Sequence, residues 1–155
     1  MLKTARFSFK KIAFGFIVLL LVIQVFRIDK TNPPVDVKND FISTTNAPLA
    51  VGQILKTSCY DCHSNETRYP WYTNVAPLSW WVKDHINEGR EELNFSEWKN
   101  YNAKKADHKL EECIEQIEEG EMPMYSYTLS HSEATLSEAQ KKLLIDWFAS
   151  VRKVE

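Results

Sequence analysis

The chain reads as all-α, a bundle of about four helices preceded by an N-terminal transmembrane anchor helix, and three observations predict this. Apolar residues recur at i, i+3 and i+4 in four separate stretches, no stretch alternates apolar and polar residues as a half-buried strand would, and proline or glycine marks the boundaries between the stretches. With 155 residues, 44% of them apolar, there is material for one ordinary domain and an appendage.

The appendage comes first. Lys3, Arg6, Lys10 and Lys11 precede an apolar run from Ile12 to Phe26, the order of a signal anchor whose basic end stays in the cytoplasm. The run is short for a span unless Phe7, Phe9 and Ile28 count at the interfaces. Cleavage competes with retention, but Gln24–Asp29 offers no small-x-small site, so an uncleaved anchor over residues 1–28 is expected. Five of the 19 basic residues and none of the 21 acidic ones lie in 1–28, so the remainder is acidic and nucleic acid is excluded as a partner. Residues 29–46, polar and interrupted by Pro33 and Pro34, read as a flexible, extended tether, and residues 47–155 as the folded domain.

Within that domain Pro48 opens a helix whose face Val51, Ile54, Leu55 and Ser58 runs into Cys59. A second helix starts after Pro77, with Leu78, Trp81, Val82, His85, Ile86 and Gly89 on one side. A third spans about Ala103–Glu119 on a stripe of Ala106, Leu110, Cys113, Ile114 and Ile117, and Gly120 stops it. The last runs from about Ser137 to Val151, opened by the capping pair Ser137 and Gln140 and burying Leu143, Leu144, Trp147, Phe148 and Val151.

The chemistry is concentrated in Cys59-Tyr60-Asp61-Cys62-His63. Two cysteines three apart share one side of a helical turn, so both sulfurs can reach the vinyl groups of one haem, and the histidine that follows is held where it can ligate the iron. Other uses of C-x-x-C fit less well. A thioredoxin-like site needs a preceding strand, whereas Gln53–Ser58 reads as a helix end. A zinc site needs a second ligand pair, and Cys113, His85, His108 and His131 are scattered. Ser64–Tyr72, too polar for a helix and too aromatic for a free loop, is expected to wrap the edge of the haem. A second iron ligand is offered by Met122 in Gly120-Glu121-Met122-Pro123-Met124-Tyr125, a soft thioether 59 residues after His63. Met124 and His131 are its rivals.

The segments CYDCHSNETRYPWYTNVAPLSWW, GEMPMYSYTLSH and LSEAQKKLLIDWF resemble the small haem-binding c-type cytochrome domains of exported bacterial proteins and, more loosely, class I cytochromes c. The resemblance covers residues 47–151. It implies a cytochrome c-like bundle around one covalently attached haem c, bound through Cys59 and Cys62 and ligated by His63 and Met122. It also implies that a loop proline, by position Pro77, gives its carbonyl to His63, and that Trp147 packs the last helix on the first. The expected role is electron transfer, with no catalytic residue required, by a single-pass protein of the bacterial inner membrane whose haem domain lies on the periplasmic side. Its partners would be a redox protein and, during assembly, the haem-attachment machinery. A haem sensor or peroxidase-like enzyme with an exchangeable distal site is the alternative, and a non-haem interaction module on a tether is a third. Cys113 is expected to be a buried, inert thiol, and the acidic positions between Glu111 and Glu121 a solvated helix face.

Overall fold

A computed structural model describes residues 8–152. It is helical, with no strand among the described residues. The chain forms two compact units: one contains the segment up to Lys30 together with Tyr69–Asp84, the other Thr31–Arg68 and the segment from His85 onward.

In the first unit α1 (Phe9–Ile23) carries Lys10 and Lys11 in its first turn, is apolar on every side from Ile12 onward, and buries none of its side chains. Its 15 residues extend for about 22 Å, against about 30 Å for a bilayer core. No helix among the described residues is long and apolar enough to cross a membrane. Residues 1–7 of the anchor expected over 1–28 lie outside the described residues; over the described remainder a spanning helix is not supported, because the regular turns stop at Ile23 where Gln24 takes over. The Gln24 amide explains the stop: its Nε2 donates to the Ala76 carbonyl at 2.9 Å and its Oε1 accepts from the Ala76 N–H at 2.9 Å. Trp80 Nε1 donates to the Phe26 carbonyl at 2.8 Å, and Lys30 Nζ to Asn74 Oδ1 at 2.7 Å.

The second unit holds the core. A short helix, α2 (Phe41–Thr45), falls inside the stretch expected to be tether. Asp40 caps it by accepting from the Ile42 N–H at 2.9 Å, and Phe41 is fully buried against Phe95, Trp98 and Phe148. One buried phenylalanine is worth about 2–3 kcal/mol, enough to hold a five-residue helix that could not persist alone. Next come α3 (Leu49–Ser58), which buries Val51, Ile54 and Leu55 as its spacing requires, and α4 (Tyr60–His63). α5 (Leu78–Glu92) follows, with its later turns in this unit. Its Ile86 is buried, but Leu78 and Trp81, expected on the same buried stripe, are more than 40% exposed.

α6 (Ala103–Glu119) has the expected bounds, buries Leu110 and Ile117, and ends at Gly120 with φ 77°, the left-handed conformation that glycine adopts without strain. α7 (Tyr125–Thr128) is a single turn that sequence periodicity is too short to reveal. α8 (Glu138–Val151) opens on the expected capping box between Ser137 and Gln140 and packs on α6 and α3. It buries Leu144 and Phe148, whereas Leu143 faces solvent. Trp147 packs against the core with its indole N–H unpaired among the described residues.

Candidate haem site

The five residues from Cys59 to His63 are positioned by a break in the helix. α3 ends at Ser58, Cys59 takes the non-helical φ −126° and ψ −41°, and α4 begins at Tyr60. Cys59 O accepts from both the Cys62 and His63 N–H groups, at 3.2 and 2.9 Å, so one tight turn carries both thiols and the imidazole.

The two residues between the cysteines fasten this turn, and spacing alone did not mark them. Tyr60 is buried, stacks on Phe95 at 5.3 Å, and donates its hydroxyl to Asp40 Oδ2 at 2.9 Å. Burial, with the neighbouring Asp40 carboxylate, pushes its phenol far above the usual range. Asp61 is also buried, and its carboxylate accepts from the Arg68 backbone N–H, from Arg68 Nε and Nη2, and from the Tyr127 hydroxyl at 2.8 Å. Asp61 O accepts from Thr67 Oγ1 at 2.7 Å. A buried carboxylate is tolerated only when several donors replace its water, and here one side chain and its carbonyl fasten the pentad to the segment behind it and to α7.

His63 is held from one side. Its Nδ1 lies 2.9 Å from the Gly89 carbonyl and 3.2 Å from the Leu93 carbonyl. Both are acceptors, so the ring proton sits on Nδ1 and Nε2 carries the free lone pair. The proline carbonyl expected from position 77 is not the partner: Pro77 O accepts instead from the Trp80 and Trp81 N–H groups in the first turn of α5. Burial lowers the imidazole below its ordinary pKa, outweighing the two carbonyls, which act in the opposite direction. It is therefore neutral at neutral pH, the state in which it ligates metals. Both thiols are partly buried and kept protonated: burial pushes Cys59 up to about 12 and Cys62 up to about 11. Attacking thiols of the thioredoxin kind have depressed values, and here a helix, not a strand, leads into the pair. Among the described residues no group of three or more His, Cys, Asp or Glu side chains could hold a metal ion, so a zinc site lacks its second pair.

Gly89 has a further function. A Cβ at this position would sit 3.1 Å from the Cys62 carbonyl oxygen and 3.4 Å from Cys62 Cβ. Gly89→Ala would gain about 1 kcal/mol of helix propensity. It would lose about 1–3 kcal/mol to overpacking, because the obstructing atoms are backbone that Tyr60 and Asp61 hold in place. We expect a net loss of about 1 kcal/mol, the middle of the roughly 0–2 kcal/mol difference, in urea unfolding. An unchanged or raised midpoint would show that α5 can move away from the pentad.

Ser64–Tyr72 is also held in place where it follows the pentad. Arg90 Nε donates to Ser64 O at 2.7 Å, and its Nη2 to Thr67 Oγ1 at 2.9 Å and Asn32 Oδ1 at 2.8 Å. Met122 and Met124 lie in the loop between α6 and α7 and are both partly buried. The Met122 N–H closes on Gln116 O at 3.1 Å, the Met122–Pro123 peptide is cis, and Met124 is the N-cap of α7. The hydrogen bond tying this loop to the pentad comes from Tyr127. His131 stacks on that tyrosine at 4.3 Å. Removing the hydroxyl in Tyr127→Phe leaves a buried carboxylate one donor short and should cost about 1.5–3 kcal/mol in thermal or urea unfolding. Arg68→Ala should cost less, because the Arg68 side chain is 70% exposed and water replaces it. Equal stabilities for Tyr127→Phe and the parent would show that the loop docks by other contacts.

The donor set suits a haem: two protonated thiols one turn apart, then a neutral imidazole oriented to leave Nε2 free. A family model for a haem-binding domain matches residues 18–150. The chain belongs to that family. No curated protein and no solved structure is significantly similar to it. The haem-binding domain thus accounts for nearly the whole chain, including part of α1. Of the residues singled out in its sequence, Cys59, Cys62 and His63 share one turn, and Met122 lies on the loop that Tyr127 secures to Asp61.

Proposed function

We propose that the chain is a monohaem c-type cytochrome, held by α1 at the bacterial inner membrane, that passes electrons on the exported side. The observation that carries this reading is the saturation of His63 Nδ1 by two backbone carbonyls, which leaves Nε2 free directly after two thiols on the same turn. Cys59 and Cys62 would each add an S–H across a haem vinyl group, His63 would ligate the iron, and Met122 would be the distal ligand. When bound, the haem supplies one-electron chemistry between ferric and ferrous iron. The protein's own part is to keep the imidazole neutral and oriented, to exclude water around the pentad, and to hold the methionine loop through Tyr127 and Asp61. No side chain is asked to perform acid–base or nucleophilic chemistry.

The membrane part of the proposal is supported by α1, an apolar helix with no buried residue that needs a nonaqueous surrounding. A redox protein is the expected partner in transfer, and the haem-attachment machinery the partner in assembly. The test is an absorption spectrum of full-length protein produced with that machinery. Sharp α and β bands on reduction, unmoved by carbon monoxide, are the expected result. A large shift with carbon monoxide would favour a sensor or peroxidase with an exchangeable distal site, and absence of haem bands would refute the cytochrome. Extraction from membranes by detergent but not by high salt is expected in the same preparation.

A further inference from the structure

The first unit presents three features in sequence order: an apolar rod, a cationic pocket at its end, and exposed tryptophans. α1 stops at Ile23, and the next residues, from Gln24 to Lys30, turn back to form one wall of a cavity of about 270 Å³. Thr73, Asn74 and Ser79 form the other wall and bring amide and hydroxyl groups. Arg27 and Lys30 line the cavity against a single carboxylate, Asp29, so its charge is net positive. The pocket is built rather than incidental, because the Gln24 clamp on Ala76 and the Trp80 bond to the Phe26 carbonyl fix its walls. Lys30 is fixed as well, by its bond to Asn74. Within the same unit Trp71 is 78% exposed, and Trp80 and Trp81 are also on the surface. Exposed tryptophan costs apolar hydration in water, but its amphipathic ring is stable at the boundary between acyl chains and headgroups.

We propose that this pocket binds the phosphate headgroup of an anionic phospholipid, with Arg27 and Lys30 as the cations, the Ser79 hydroxyl and the Asn74 amide N–H not bonded to Trp71 as neutral donors, and the tryptophans lying in the surrounding interface. The occupant is a membrane lipid rather than free phosphate, because the pocket opens at the end of a helix that is apolar on every side from Ile12 to Ile23. A lipid whose chains run beside α1 has its phosphate at that level. The proposal rests on the reading that α1 lies in a membrane, and it assigns that membrane a particular headgroup chemistry.

The test uses the full chain in mixed phosphatidylcholine and phosphatidylglycerol bilayers, followed by native mass spectrometry of the lipids it retains. Two cations at the surface should enrich phosphatidylglycerol about thirtyfold over phosphatidylcholine. Arg27→Gln with Lys30→Gln should abolish the enrichment while the chain stays in the bilayer, whereas Lys38→Gln, outside the pocket, should not. Quenching of the unsubstituted chain's tryptophans by brominated phosphatidylglycerol beyond that by brominated phosphatidylcholine would support the assignment even if the double variant fails to fold. Equal retention of the two lipids, undiminished enrichment in the double variant, or displacement of the lipid by inorganic phosphate would each overturn the pocket while leaving the membrane reading intact. A chain that fails to enter either bilayer would overturn both.

Discussion

Replacing Cys59 and Cys62 together by serine should yield a chain that surrenders its haem to acidified acetone, whereas the parent should keep one haem through denaturation and show its added mass. The structure makes this a sharp test. The two sulfurs lie on one turn whose backbone is fastened by Tyr60 and Asp61, so serine at both positions leaves the pentad's geometry in place and removes only the bond-forming groups. A haem tethered to the chain meets its folded-state contacts at a high effective concentration, whereas an untethered one must be bound from dilute solution. The double variant should therefore also lose several kcal/mol of stability and unfold far below the parent. Cys113 provides the control. It is partly buried against the core, and burial, together with Cys59 nearby, pushes its thiol well above the ordinary range, so Cys113→Ser should keep its haem covalently attached. Retention of acid-stable haem by the double variant would refute the thioether assignment.

Met122→Ala is expected to open the distal side of the iron. In the ferric protein the weak long-wavelength band of methionine ligation should disappear, and the ferrous protein should bind carbon monoxide, while Met124→Ala should change neither. The two backbones are held differently: the Met122 N–H closes on Gln116 O two residues after the left-handed Gly120, whereas Met124 is the N-cap of α7. If the two variants exchange behaviours, Met124 is the ligand; if neither changes the spectrum, His131 or an open site takes its place.

Much of this architecture was legible in the sequence where local rules act alone. The bounds of α6, its glycine stop and the capping box of α8 follow from periodicity and capping, which need no knowledge of tertiary partners. What escaped depends on partners distant in sequence. α2 exists because Phe41 finds Phe95, Trp98 and Phe148, and four-residue α7 because Tyr127 reaches Asp61. The exposed Leu78 and Trp81 show the converse: a helical stripe records which side chains are apolar, not whether the same surroundings continue along it. Cys59, Cys62 and His63 were readable from spacing, whereas the importance of Tyr60, Asp61 and Gly89 was not, because a motif leaves its variable positions blank. Gly89 could have been flagged as a glycine placed on a predicted buried helical face, where it sacrifices propensity and so implies close approach.

The carbonyls that hold His63 have an electronic consequence. Gly89 O also accepts the Leu93 N–H at 2.9 Å, so the imidazole N–H points at the last turn of a 15-residue helix, where the aligned peptide dipoles leave about half a negative charge. Negative charge at that N–H makes the ring a stronger electron donor through Nε2 and favours ferric over ferrous iron. The proximal side of this protein would therefore lower the reduction potential, while a distal thioether would raise it. The working potential would then be a balance between a backbone dipole and a sulfur atom, adjustable at either end without altering the residues that attach the cofactor.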